Sequence, residues 1–467
     1  MLFNSYIFIF LFLPFTFFVY FYLNKKRLTE LSKAFLVLSS LFFYSWWNIA
    51  YLPLILVSMF FNYALGLSLR EDLSTKRVSD KKLLFIGVIA NLSMLGYFKY
   101  TDFFIENFNG IFSSDVPLLH LALPLAISFF TFQQIAYLVD SYRKETKEYD
   151  FLNYAIFVTF FPQLIAGPIV HHKEMMPQFA KAKNKIKNYA NITMGLFIFS
   201  IGLFKKVVIA DTFAIWATKG FDESVSLDML TAWVTSLSYT FQLYFDFSGY
   251  TDMAIGIALL FNIKLPINFY SPYKAVSIQE FWRRWHITLS RFLKDYIYIP
   301  LGGNRKTEIH TYANLFTTFL LGGIWHGAGW TFVLWGAMHG FALMVHRIWQ
   351  KVGIKLPTVL AWFLTFNFVN IAWVFFRAKE FDDAIKVLAG MFGFSGISLY
   401  YDISMAYIMI AFVVTLGFYN VTQLVEKKYF GKYTFFITAL LFLFALLQMI
   451  NITISSDKVS EFLYFNF

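Results

Sequence analysis

Long apolar stretches separated by short polar ones run from one end of the chain to the other. A helix needs about 20 apolar residues to cross about 30 Å of hydrocarbon. Runs of that kind recur at 6–23, 34–51, 52–69, 83–98, 117–139, 151–170, 190–210, 228–246, 252–270, 312–333, 335–350, 357–377, 404–424 and 433–452. Several are short or interrupted, so the pattern predicts ten to twelve crossings with two or three re-entrant pieces. The polar gaps at 70–82, 141–150 and 171–188 are too short to fold alone. The expected fold is therefore all-α and polytopic. One membrane domain covers 1–452 and a short tail covers 453–467.

Charge gives the runs a direction. Lys25, Lys26 and Arg27 follow the first run, whereas a signal peptide carries its positives in front. The first run reads as a membrane helix with its N-terminus outside. Basic loops at 70–82 and 143–147 read as cytoplasmic, as do the five lysines within 173–187. A full crossing by 151–170 would put those lysines on the wrong side. That segment carries Pro162, Gly167 and Pro168, so it is expected to dip and return. Broken backbone at membrane depth needs protein or a water-filled cavity to satisfy it, and a cavity is expected here. The alternative is an ordinary span kinked by proline. Lys427, Lys428 and Lys432 precede the last run and place the tail outside. Both termini outside require an even count, and twelve is the preferred one.

Composition closes off other classes. Of 467 residues, 58% are hydrophobic and 14% charged, and 61 are phenylalanine, so a water-facing globule or a disordered chain is excluded. The 39 basic residues exceed the 28 acidic ones by 11, which in a membrane protein reflects cytoplasmic loops rather than nucleic-acid binding. Cysteine is absent, which rules out disulfides, thiolate metal sites and thiol nucleophiles.

Polar groups at membrane depth are functional candidates. Asp246 and Asp252 lie six residues apart in Leu-Tyr-Phe-Asp-Phe-Ser-Gly-Tyr-Thr-Asp, 243–252. They either pair helices around Gly249 or couple to an ion, since no helically spaced cation is in view. From Ser277 to Tyr296, apolar positions 278, 281, 282, 285, 289, 292, 293 and 296 recur at helical spacing. An amphipathic interfacial helix is predicted there. Its Arg283, Arg284, Arg291 and Lys294, with Arg305 and Lys306 after Gly302-Gly-Asn, either anchor lipid headgroups or bind an anionic, phosphate-bearing substrate. His326 sits among glycines 322, 323, 327 and 329 beside Trp325, and glycines allow close backbone approach to a ligand. A buried, neutral imidazole can take a proton from a hydroxyl. His339 reads as a packing residue behind it. No histidine–carboxylate spacing marks a metal site, and neither a metal nor a bound cofactor is expected. The chain ends in Phe-Leu-Tyr-Phe-Asn-Phe, 462–467, whose one hydroxyl is on Tyr464. The end is either an aromatic anchor in the interface or a segment that inserts into a cavity.

These motifs resemble the membrane-bound O-acyltransferase family, in its bacterial branch of alginate and peptidoglycan O-acetyltransferase membrane components. The resemblance is carried by Phe-Asn-Ser-Tyr-Ile-Phe-Ile-Phe-Leu-Phe-Leu-Pro at 3–14 and Phe-Pro-Gln-Leu-Ile-Ala-Gly-Pro at 161–168. It continues through the motif extending from 243 to 256, Glu-Phe-Trp-Arg-Arg-Trp-His-Ile-Thr-Leu-Ser at 280–290 and Gly-Gly-Ile-Trp-His-Gly at 322–327. The resemblance implies a central tunnel with the invariant histidine at His326 and its partner at His286. It implies acetyl-CoA as a cytoplasmic donor substrate, and an envelope-side esterase-like or transferase partner that delivers acetyl to a polysaccharide. A related D-alanylation system uses a small peptide ending in Phe-x-Tyr-x-x-Phe, which 462–467 matches, so Tyr464 is implied as an acyl carrier. Candidate donors to the reaction's oxyanion are His286, Trp325 and the amides of Gly322 and Gly323. The expected location is the bacterial inner membrane, with both termini periplasmic and peptidoglycan favoured over alginate. Other readings are a transporter coupled through Asp246 and Asp252, and transfer of D-alanine or a longer acyl chain.

Overall fold

The computed structural model describes residues 1–70, 78–146, 150–397, 403–426, 433–456 and 462–463. Every regular element among them is helical. In chain order the α-helices are α1 (Leu13–Lys25), α2 (Thr29–Ser45), α3 (Tyr51–Arg70), α4 (Asp80–Phe112), α5 (Ile127–Tyr142), α6 (Phe151–Thr159), α7 (Phe161–Leu164), α8 (His172–Ala180), α9 (Tyr189–Phe204) and α10 (Asp211–Thr218). They continue as α11 (Met229–Leu260), α12 (Ile278–Arg284), α13 (Ile287–Leu293), α14 (Glu308–His326), α15 (Trp330–Val352), α16 (Thr358–Arg377), α17 (Phe381–Met391), α18 (Ile403–Gly417), α19 (Val421–Glu426) and α20 (Thr434–Ser456). Among the described residues, six helical runs are long and apolar enough to cross a membrane: Phe8–Lys25, Tyr51–Arg70, Asp80–Phe112, Tyr189–Glu223, Thr358–Arg377 and Thr434–Ile454. Packing divides the chain into two compact units. One is Met1–Phe199 with Met253–Pro266, the other Ser200–Asp252 with Ile267–Phe467.

The first unit is built on aromatic contacts. Phe8, Phe12, Phe43 and Phe161 form one cluster, with Phe12 and Phe161 edge to face at 5.3 Å. Phe10, Phe15 and Phe18 on the other faces of the same run are well exposed, as lipid-facing positions should be. Helix α4 buries Gly87, Asn91 and Leu95, a stripe four residues apart. Across it, Asn91 and Asn62 of α3 exchange side-chain amide hydrogen bonds of 2.7 and 3.2 Å, the polar fastening expected between membrane helices.

Three predicted runs divide or join differently. The segment 151–170 forms the two short helices α6 and α7, broken at Phe160. Nine residues of α6 extend about 14 Å, too little to cross. The break is packed in protein: the Phe161 amide donates to Ser40 Oγ, and Gln133 and Gln163 both donate to the Phe157 carbonyl. The cavity expected to hydrate this backbone is replaced by side-chain partners. The run 117–139 is helical only from Ile127, because Pro117 and Pro124 remove amide donors. The Asp102 carboxylate instead accepts the amides of Leu119 and His120 at 2.8 and 2.9 Å. Runs 228–246 and 252–270 fuse through the continuous 32-residue α11, with Gly249 inside the helix rather than at a break.

In the second unit, α11 and α16 are tied by Thr240 donating to Asn370 Oδ1 at 2.7 Å and Asn370 donating to Ser236 at 3.2 Å. Helices α14 and α15 pack glycine on glycine: a Cβ on Gly323 would stand 2.8 Å from the Gly336 Cα and 2.5 Å from the Phe332 carbonyl oxygen. This close seam sets the position of His326 at the end of α14.

Candidate active site

His326 is the last residue of α14, 3% exposed and ringed by aromatic side chains. Trp325, Trp335 and Phe376 lie 4.9, 5.1 and 5.1 Å from its ring, all steeply inclined to it. Trp335 stacks on Trp373, which meets Trp285 at 5.0 Å. His339, on α15, accepts the Trp282 indole N–H at Nδ1, 3.2 Å away. An indole nitrogen only donates, so the neutral His339 carries its proton on Nε2. His339 stands in the aromatic wall, 4.7 Å from Trp335 between ring centroids.

The predicted single helix over 278–296 is two helices, α12 and α13, broken at His286. His286 is fully buried and adopts φ 42° and ψ 54°. The physical reason for the break is Asn268. Its carbonyl oxygen accepts the Ile287 amide, and its side-chain Oδ1 accepts Thr288 N–H, Thr288 Oγ1–H and His286 Nδ1–H at 3.1, 2.9 and 3.1 Å. The Thr288 amide can only donate, so the Asn268 atom facing it is oxygen and His286 Nδ1 bears the proton. His286 Nε2 then holds the lone pair. The apolar face predicted to lie in the lipid interface is instead core, with Trp282, Trp285, Leu289 and Phe292 buried.

Phe319, which meets Trp282 edge to face at 4.9 Å, also lines a cavity of about 550 Å³. Arg283, Lys294 and Arg305 line it together with Arg347, and no carboxylate is among its described lining residues. Leu293, Leu315, Phe319 and Leu343 supply apolar lining. Phe319 and His326 are seven residues apart on α14, about two helical turns or roughly 10 Å. Hydrogen bonds from Lys351 and from Arg347 hold the Glu308 carboxyl below its usual range.

Three predicted cations fall outside this lining. Arg284 is committed to Glu280, at 2.7 and 3.0 Å, and to the Tyr270 carbonyl. Lys306 lays its stem over Gly302, and Arg291 is not among the lining residues. The amides of Gly322 and Gly323 are also corrected as oxyanion donors. Both lie inside α14, where main-chain N–H groups donate to carbonyls one turn earlier. Missed from sequence were His346, Arg347 and Gln350, which follow Leu343 at spacings 3, 4 and 7 on α15 and present one face to the cavity.

Asp246 and Asp252 are both paired, by adjacent lysines 40 and 47 residues earlier in the chain. Lys206 Nζ stands 2.7 Å from Asp246 and 2.8 Å from Asp211, and Lys205 Nζ stands 2.7 Å from Asp252. The two lysines open a π-helical turn, Lys205–Ala210, packed against α11 where Gly249 comes within 2.8 Å (as a Cβ) of the Gly202 carbonyl. Of the tail, Phe462 is buried and stacks on Tyr250 at 4.5 Å, and the Leu463 amide donates to Asp246 Oδ2 at 3.0 Å. Tyr464 lies outside the described residues.

Residues 35–379 match the family model described as MBOAT, membrane-bound O-acyltransferase family. The chain belongs to that family. The matched stretch holds His286, His326 and every residue lining the cavity. Among curated relatives, the chain is 58% identical over 430 residues to the peptidoglycan O-acetyltransferase of Helicobacter pylori, covering 85% of this chain and 81% of that protein. It is 40% identical over 442 residues to the "Probable alginate O-acetylase AlgI" of Pseudomonas aeruginosa, covering 90% and 82%. A teichoic acid D-alanyltransferase of Bacillus subtilis is 28% identical over 274 residues, covering 55% and 69%. Family and apolar helices together make this a multi-pass membrane protein of the O-acyltransferase class.

Proposed function

We propose that the protein moves acetyl from cytoplasmic acetyl-CoA across the bacterial inner membrane for O-acetylation of peptidoglycan, with both termini in the periplasm. The observation that carries this reading is one helix with two ends. His326 stands buried in an aromatic box at the end of α14, and the flank of the same helix lines a cavity with four cations in its wall. Arg283, Lys294, Arg305 and Arg347 hold the phosphates of the donor, and Arg in particular offers a planar fork to phosphate. The thioester reaches toward His326 along α14, past the lining residue Phe319.

The neutral His326 imidazole takes the proton of an acceptor hydroxyl as its oxygen attacks the thioester carbonyl. The tetrahedral oxyanion is stabilised by a preorganised donor, for which the Trp325 indole N–H is the candidate; His286, whose one proton is given to Asn268, presents an acceptor at Nε2 and is set aside as an oxyanion donor. Collapse breaks the carbon–sulfur bond, and the CoA thiolate recovers the proton from the imidazolium. Acetyl ester and CoA result, with atoms and charge balanced. Tyr464 is the first acceptor, and an esterase-like or transferase partner on the periplasmic side passes acetyl to the glycan. The 58% identical relative, named a peptidoglycan O-acetyltransferase, favours peptidoglycan over alginate.

Purified protein given radiolabelled acetyl-CoA is expected to carry label as an acetyl ester on Tyr464 and to release CoA. His326→Ala is expected to abolish both. Acetylated peptidoglycan persisting in cells whose sole copy is His326→Ala would overturn the mechanism.

A further inference from the structure

Asp246 has two oxygens and two different partners. Oδ1 faces the Lys206 ammonium at 2.7 Å, and Oδ2 accepts the main-chain N–H of Leu463, 217 residues away. The residue before it, Phe462, is 2% exposed. Its ring lies nearly parallel to Tyr250 at 4.5 Å and tilted on Phe247 at 5.6 Å. Phe247 in turn sets its edge against the His286 ring at 4.7 Å. One carboxylate and two rings, at 246, 247 and 250, thus meet a short length of peptide on one face of α11. The ring seat selects an aromatic side chain. The carboxylate grips an amide, which every residue but proline supplies.

Lys206 makes this grip possible. A carboxylate buried alone is costly, and one satisfied by lysine alone would have no use for a distant amide. Lys206 is also held by Asp211 at 2.8 Å, so it keeps a counter-charge if Asp246 is neutralised.

We propose that Asp246, Phe247 and Tyr250 form a peptide-binding seat for the chain's own C-terminal segment, with Asp246 as the positioning residue that fixes the segment's register at Leu463. The seat stands on the contacts above. Its purpose, presenting the next residue in sequence, Tyr464, to the histidines, rests on the function proposed in the preceding subsection.

The test uses the full chain in lipid nanodiscs, digested with a carboxypeptidase and read by intact-mass spectrometry. Digestion from the end tracks the fraction of chains whose segment has left the seat. The native chain is expected to stall with Phe462 and Leu463 retained. In Asp246→Asn, trimming through both is expected to quicken on the order of 10- to 100-fold, the loss of one charge-assisted hydrogen bond. Phe462→Ser, which leaves the membrane core untouched, is expected to do the same. Equal rates through Phe462 in the native chain and in Asp246→Asn overturn the assignment, whatever Phe462→Ser does. With labelled acetyl-CoA, Asp246→Asn is expected to lose ester on Tyr464 at least 10-fold while still releasing CoA by hydrolysis, a split that a merely unfolded chain does not give. If no ester forms even in the native chain, the proposed function fails while the trimming comparison still decides the seat.

Discussion

His286 is fully buried with a left-handed backbone, a conformation that costs a non-glycine residue roughly 1–2 kcal/mol. Such strain persists where the surroundings impose it, and here Asn268 does so by taking three hydrogen bonds on one oxygen. The same oxygen fixes the proton on Nδ1 and turns the lone pair of Nε2 outward from Asn268. Backbone and chemistry at this position are therefore separable. His286→Ala and His286→Gly both remove the imidazole, and both are expected to lose acyl transfer. Glycine bears no penalty at φ 42°, so His286→Gly should be the more stable of the two by about 1 kcal/mol, read as a higher unfolding midpoint. An alanine variant as stable as the glycine one would remove the argument from strain. The sequence singled out His286 by its motif yet placed it inside an unbroken helix. Periodicity over 278–296 is a local signal, and the acceptor that breaks the helix lies 18 residues earlier.

Among the elements, the α14–α15 pair carries the site, and its glycines differ in what surrounds them. A Cβ at Gly322 would meet only the end of the Leu293 side chain, at 3.2 Å, whereas at Gly323 it would strike the Gly336 Cα and the Phe332 carbonyl. Gly322→Ala should keep most activity. Gly323→Ala should push the helices apart, cost about 1–3 kcal/mol and lower activity with it. An active, stable Gly323→Ala would show that the seam tolerates a methyl group. The cavity allows a similar contrast between neighbouring arginines. Arg347 lines it and Arg284 is held by Glu280, so Arg347→Ala should raise the KM for acetyl-CoA on the order of 10-fold, an effect that shrinks as salt rises. Arg284→Ala should leave KM within about 2-fold, because its charge never faced the donor. Equal KM values for the two would move the phosphate site elsewhere. Basic residues were visible in the sequence, but which of them share a wall was not. The exception was the stripe 343, 346, 347 and 350, whose helical spacing was open to view.

At the scale of the whole molecule, the apolar runs were a good guide to where helices are and a poor guide to their ends. Runs at 357–377 and 433–452 match α16 and α20 closely, since nothing polar interrupts them. Those at 228–246 and 252–270 were divided at a polar patch that the fold neutralises from afar, with Lys205 and Lys206 pairing Asp252 and Asp246. The same pairs supply the cations that helical spacing did not reveal beside the two carboxylates, each at 2.7 Å. Direction across the membrane is a clean measurement in a chain without cysteine. The proposed route requires the cavity's loop in the cytoplasm and the tail in the periplasm. A single cysteine at exposed Lys306 should react with an impermeant maleimide only after the inner membrane is opened, whereas one at Asp457 should react beforehand. The opposite order would place the cations on the face that acetyl-CoA never meets, and the proposed route would have no entrance.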